Sequence, residues 1–270
     1  MNQIIKDIQA RQVQYDLDNH VAMANDMIRG ISKLSLNEAK LLRLIIMQVQ
    51  PDDTVFAPFT IKVSEFAQLL GIDRHDVYRQ ADRMTDRLMM ELIRIGDGNP
   101  RHKWQKFHWV SRCSYDAGIL TIQLSDDLKP YLLGLKKWYT QYRLEDVISF
   151  RSVYAIRIYE LIVMGMQNVK PYADQVTEVY ISIDTIRKAT STENKLKRIS
   201  QFKEKVIDIS IRDINECTDY HVSVRDYKES RKIVGFYFTV QSNTRYAMYG
   251  DDITHAKARQ MKIKDYFGET

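Results

Sequence analysis

Lysine and arginine side chains clustered at the starts of short helical stretches are the residues best placed to do chemistry in this chain. That chemistry is the gripping of a polyanion. In YISIDTIRKATSTENKLKRISQFKEKVIDISIRDINEC (Tyr180 to Cys217), the segment from Asp184 to Lys205 holds seven Lys/Arg against three Asp/Glu. Lys195, Lys197, Arg198, Lys203 and Lys205 gather where a helix is expected from about Ser200. An earlier helical start carries Arg74, His75, Tyr78 and Arg79, with Arg83 and Arg87 further along. Two expected hairpins add Lys103 and Lys106 in one, and Lys228, Arg231 and Lys232 in the other. Basic side chains neutralise phosphates without regard to sequence, while side chains in the first turns of a groove-bound helix reach base edges. Taken singly, each cluster also reads as a solvated charged face. Several of the arginines after position 73 can pair with Asp76, Asp82 and Asp86 on their own helix.

Catalytic signatures are missing. There is no G-x-x-x-x-G-K-S/T loop and no H-E-x-x-H, and Gly96 and Gly98 sit in a polar turn. No two of the six histidines are two residues apart, so the paired-histidine metal site of strand-nicking enzymes is not present. Cys113 and Cys217 are far apart and form neither a disulfide framework nor a zinc cluster. No catalytic, cofactor or metal site is expected, and the reading is of a protein that is not an enzyme.

These side chains need a frame to hold them. The chain has 270 residues, 44% hydrophobic and 10% aromatic, which supports true cores and fits two domains better than one. A formal charge of +5 and a pI near 9.0 make a polyanionic partner reasonable. The first twenty residues lack a continuous apolar core of a signal peptide, and no apolar run reaches the length of a membrane span. A cytoplasmic, reduced location with no membrane contact is expected.

In chain order, VAMANDMIRG suggests a short helix. Ser35-Leu36-Asn37-Glu38 has the form of a capping box and opens a helix so apolar (Leu41, Leu42, Leu44, Ile45, Ile46, Val49) that it must be buried on two sides. One of those sides suits either the core or a subunit contact. FTIKV is a strand, and Ser64 to Leu70 a helix. Gly71 allows a turn, and Asp73 can cap the next helix, RHDVYRQADRMTDRLMMELI. KFHWVSRCSY and GILTIQLS read as a hairpin with a basic entry (Arg101, Lys103, Lys106). A short helix from Ser125 is expected to stop at Pro130. Leu135 to Leu144 is rich in Trp and Tyr, and Glu145 to Ser149 is a hinge candidate. Ser149 is read as the cap of FRSVYAIRIYELIVMGM, and Asn168 to Gln175 as a loop. The opening stretch follows, with Phe202, Val206, Ile209 and Ile214 near one face. HVSVRDY and IVGFYFTVQ then form a second hairpin with a basic tip.

The order strand, helix, turn, helix, hairpin therefore occurs twice, with IKVSEFAQLL parallel to ISIDTIRKAT. The expected fold class is α+β: two tandem winged-helix domains, each a helix-turn-helix with a β-hairpin wing. The boundaries expected are a flexible N-terminus over 1–20, a first domain over 21–134, a linker over 135–149, a second domain over 150–242 and a basic tail over 243–270.

The junction GLKKWYTQYRLEDVISFRSVYAIRIYELI contains an L-x-x-x-[FWY]-T-x-[FY]-x-L segment followed by an S/N-x-x-A-x-R-[IL]-Y-E helix. Together with FTIKVSEFAQLLGI and QFKEKVIDISIRDINE, it resembles the iteron-binding plasmid replication initiators, the tandem winged-helix Rep proteins of theta-replicating plasmids. The resemblance covers roughly Val21 to Gln241. It departs at Lys203-Glu204-Lys205, where family members often carry an unbroken basic run. Glu204 either accepts from a cytosine amino group or points away from DNA.

The resemblance implies a non-catalytic initiator. Monomers would bind direct-repeat (iteron) double-stranded DNA at an origin through both recognition helices. Adjacent DNA would then open with the help of a host replication initiator, and the replicative helicase would be loaded. A homodimer in equilibrium with monomer, joined mainly through the first domain, would bind an operator inverted repeat and repress its own promoter. The alternative on the same scaffold is a dedicated winged-helix transcriptional repressor.

Overall fold

The computed structural model describes residues 10–14, 19–71, 77–96, 99, 101–166 and 176–242. The N-terminal half opens with strands β1 (Arg11–Gln12) and β2 (His20–Ala24) and helices α1 (Asn25–Arg29) and α2 (Leu36–Met47). It continues through β3 (Phe59–Lys62), α3 (Val63–Leu70), α4 (Val77–Met90), β4 (Leu92–Ile95), β5 (Gln105–His108), β6 (Val110–Asp116) and β7 (Ile119–Leu124). After a 3₁₀ turn come α5 (Lys129–Leu132), β8 (Tyr139–Arg143), α6 (Leu144–Ile148) and α7 (Val153–Gly165). The C-terminal half has β9 (Val176–Ser182), α8 (Ile183–Ala189), α9 (Ile199–Phe202), a π-helical segment (Lys203–Asp208), α10 (Ile209–Cys217), β10 (Tyr220–Glu229) and β11 (Lys232–Ser242).

The duplicated order folds into the same topology twice. In the first unit β3 pairs with the last strand, β7, which pairs with β6. In the second, β9 pairs with the last strand, β11, which pairs with β10. These pairings are antiparallel, and in each unit a helix pair lies in sequence between the first strand and the last two, so both units are winged helices. The glycine expected to open the first turn does so: Gly71 ends α3 in the left-handed region at φ 66°.

Helix α2 is the centre of the first unit. The Ser35 side chain accepts from the Glu38 amide, and the Glu38 carboxylate accepts from the Ser35 amide at 2.7 Å, closing the capping box. Every residue from Glu38 to Met47 is buried, charged ones included. Among them, Arg43 holds Glu160 of α7 in a two-pronged ion pair at 2.9 and 3.1 Å. The Tyr142 hydroxyl donates to the same carboxylate at 2.6 Å, and Arg157 donates to it at 2.6 Å. Arg157 also donates to the carbonyls of Ile28 and Gly30 on one side and Ala189 on the other. Helix α7 thus ties the first unit to the end of α8 in the second. A buried carboxylate with this many donors stays ionised: the two guanidiniums outweigh its desolvation and hold Glu160 below the usual carboxylate range.

Several local expectations are corrected. Residues 20–24 form β2, paired with β8, and only Asn25–Arg29 are helical. KFHWVSRCSY divides at Trp109. Its first part, β5, pairs backwards with β4, and only β6 pairs with β7. Alternation breaks at the division, where the adjacent Trp109 and Val110 are both buried and the β6–β7 register shifts between Val110 and Arg112. Pro130 does not stop a helix; it sits in the first turn of α5, where its missing N–H costs nothing. Ser149 ends α6, and the cap of α7 is Ser152, whose side chain accepts from the Tyr154 amide at 3.1 Å. The stretch read as a linker over 135–149 contains β8 and the buried helix α6. Finally, Ile209 is 36% exposed while Ser210 is fully buried. The π-helical turn before it carries more residues per turn, which rotates the inward face by about one position. The Asp73 cap, the 168–175 loop and the 243–270 tail lie outside the described residues.

Candidate nucleic-acid interface

The second winged helix presents its cations from a turn, a helix and a hairpin tip. Residues 190–198 connect α8 to α9. Ser191 and Leu196 there adopt left-handed backbone at φ 51° and 49°, which is uncommon for residues other than glycine. Lys195, Lys197 and Arg198 are all exposed on this turn. Arg198 is the N-cap position of α9, in extended backbone, so its side chain leaves from the helix start. Lys188 is held by Asp184 at 2.6 Å, and Arg187 is turned inward, its guanidinium over the Phe202 ring at 4.2 Å. Burial lowers the Arg187 pKa from its usual value. Arg187 therefore faces the fold, while Lys188 is paired with an exposed carboxylate of its own helix.

From the end of α9 onward, Phe202, Val206, Ile207 and Ser210 face the core. Gln201, Glu204, Lys205 and Asp208 form the outward face. Lys203 lies between the two faces, and its ammonium contacts Asp226 of β10 at 2.6 Å. Lys228, Arg231 and Lys232 are exposed at the β10–β11 tip, where Ser230 turns the chain at φ 56°. Gln201 escaped the sequence reading, which weighed cations. Its three-residue spacing from Glu204 is the signal that would have found it.

In the first unit, Tyr78 is 56% exposed, and its ring meets Tyr115 of β6 edge-on at 6.0 Å between centroids. Arg79 is exposed one residue later. Arg74 and His75 lie outside the described residues. Arg87 approaches Glu38 of α2 at 3.5 Å, a carboxylate on a different helix from Asp82 and Asp86. Lys103 and Lys106 are exposed, but on the β4–β5 hairpin rather than on the wing. Lys106 and Arg94 both lie over the exposed Trp104 ring, at 5.1 and 5.4 Å. The turn of the β6–β7 wing, Asp116-Ala117-Gly118, carries no cation.

The two units share one construction. In each, the second helix of the helix pair is braced to the adjoining wing strand: α4 to β6 through Tyr78 and Tyr115, the helix after Arg198 to β10 through Lys203 and Asp226. Such a brace fixes the wing relative to the helix that would enter a major groove. Among the described residues no cluster of His, Cys, Asp and Glu could hold a metal ion, and no helix is long and apolar enough to cross a membrane.

Comparison with known proteins places this architecture. Residues 20–163 match the family model described as Initiator Replication protein, WH1, and residues 182–240 match Initiator Rep protein, WH2. A "Replication initiation protein" of Escherichia coli is 25% identical over 211 residues, covering 76% of this chain and 64% of that relative. The chain thus spans somewhat less than two thirds of that relative's length. An "Uncharacterized 27.6 kDa protein" of Escherichia coli is 23% identical over 211 residues, covering 73% of this chain and 85% of that protein. The crystal structure of Pi initiator protein in complex with iteron DNA superimposes with a TM-score of 0.69 at 19% identity, over 84% of this chain and 98% of that one. At that identity the likeness is one of fold.

Proposed function

The chain belongs to the initiator replication protein family, and from that premise we propose that it initiates replication of a plasmid by binding iteron repeats in origin DNA. The observation that carries this reading is the pair of braced helix-and-wing units in one chain. Two such units can enter successive major grooves on one face of a duplex. Arg198, at the start of the second recognition helix, is assigned to a base edge. Lys195, Lys197, Lys205, Lys228, Arg231 and Lys232 are assigned to phosphates. Arg74, His75, Tyr78 and Arg79 are assigned the same work in the first unit, with Lys103 and Lys106 reaching the backbone from the β4–β5 hairpin. The Pi initiator protein, with which the fold is shared, was crystallised with iteron DNA.

Opening of the adjacent duplex, recruitment of a host initiator and a replicative helicase, and repression of the gene by a homodimer belong to the same proposal. So does a cytoplasmic location without a catalytic role.

Footprinting on the DNA flanking the gene tests it. Protection of several direct repeats beside an AT-rich tract is the expected result. Protection of a lone inverted repeat would make the protein a dedicated repressor instead. Magnesium-dependent nicking of supercoiled origin DNA would overturn the non-catalytic assignment.

A further inference from the structure

We infer that Arg187 is a positioning residue for the second recognition helix, acting by clamping the turn that carries Lys195, Lys197 and Arg198. The inference rests on the DNA-binding reading above and adds to it a residue that does not touch DNA.

The two units solve the helix-to-helix turn differently. The first uses Gly71, for which left-handed backbone is inexpensive. The second has no glycine between α8 and α9, yet places Ser191 and Leu196 in that region. Left-handed backbone at a residue with a side chain is unfavourable, so something must hold it. Arg187 does. One terminal nitrogen donates to the carbonyls of Thr192 and Lys195, and the other to that of Leu196, all at 2.9 Å. The Arg187 carbonyl in turn accepts from the Thr192 amide at 2.8 Å. Its guanidinium lies 4.2 Å from the centre of the Phe202 ring, which is fully buried on the inner face of the recognition helix. One side chain thus joins α8, three points of the turn and the helix that follows.

The chemistry suits a planar guanidinium. Its donors are fixed in a fork and can serve three carbonyls at once, whereas a lysine ammonium is a single point charge. Donating to those carbonyls also offsets three partial negative charges on a turn that would meet phosphate. The second anchor of the turn is Ser191, whose hydroxyl donates to the Ser32 carbonyl of the first unit at 2.9 Å. Arg187 is therefore the internal half of a two-sided mounting.

The test compares Arg187→Met, which keeps apolar contact with Phe202, and Arg187→Lys, which keeps the charge, with the full-length parent chain. Amide hydrogen exchange without DNA is measured over residues 190–198. Binding is measured to the duplex best retained by the parent from a random-sequence pool, and to mixed-sequence duplex. Both variants are expected to unfold cooperatively and to exchange faster across the turn. Both should lose roughly tenfold or more on the selected duplex, with mixed-sequence binding and the salt slope unchanged. Unchanged exchange would overturn the clamp. So would a parallel loss on both duplexes with a salt slope reduced by about one and rescue by lysine, the mark of a direct phosphate contact. If the parent shows no sequence preference, the functional reading fails, while the exchange measurement still decides the clamp.

Discussion

Lys203 of the second recognition helix and Asp226 of the wing strand β10 meet at 2.6 Å, and both side chains are about two-thirds or more buried. Lysine at this position reads in sequence as a phosphate contact. In the fold its charge is already answered, and its ammonium ties helix to wing. Lys203→Ala is therefore expected to change the salt slope of DNA binding less than Lys205→Ala, while weakening binding to all duplexes alike. Titrations across about 50–200 mM salt measure both slopes. Equal slope changes would return Lys203 to the phosphate-contacting set.

Arg198 leaves from the start of the same helix, where direct base contact is most accessible. Arg198→Ala should cost about 1–3 kcal/mol on the preferred duplex and relax selectivity at one base position. Lys228→Ala, at the wing tip, should weaken all duplexes alike and lower the salt slope by about one. Competitive binding against single-base variants of the preferred site separates these behaviours.

Glu160 carries the interior charge balance between α2 and α7. Glu160→Gln leaves the Arg43 and Arg157 guanidiniums buried without their carboxylate. A loss of about 3–5 kcal/mol in urea unfolding is expected, since breaking one partner of a buried ion network leaves uncompensated charge. A loss below about 1 kcal/mol would mean that the Ile28, Gly30 and Ala189 carbonyls alone sustain Arg157.

Lys40 sits on the crowded side of α2, and burial lowers its ammonium to about 8, with the Asp213 carboxylate working in the opposite direction. Between about 8 and the ordinary value of 10.5 the unfolded chain binds the proton and the native chain does not. Stability from this group therefore rises as pH rises through that window, and the charging penalty is fully present below it. Lys40→Met should stabilise the protein at pH 7 by about 1–3 kcal/mol and flatten that rise. Thermal unfolding of both proteins from pH 7 to 10 checks the sign.

Much of the fold was legible because it is written in local patterns. The capping box at Ser35 and Glu38, the apolar circumference of α2, the left-handed Gly71 and the alternation of Phe236, Phe238 and Val240 each act over a few residues. The repeat of strand, helix, turn, helix and hairpin was visible for the same reason. Reading failed where a residue's role depends on a distant partner. Lys106 looked like the entry to a wing, and only the pairing of β5 with β4 moved it to a separate hairpin. Ile209 looked inward until the π-helical turn rotated Ser210 into its place.

The sequence by itself determined the tandem helix-and-hairpin order, the basic character of the helix starts and the absence of recognisable catalytic motifs. Periodicity, capping and composition are properties of neighbouring residues. Tertiary structure alone decided which cations remain available to a ligand. Arg187, Lys203, Arg43 and Arg157 are indistinguishable by type from Lys195, Arg198 and Lys205, but folding supplies the first four with carbonyls and carboxylates from elsewhere in the chain. A charge is free or engaged according to what lies within a few ångströms of it, and that distance exists only once the chain has folded.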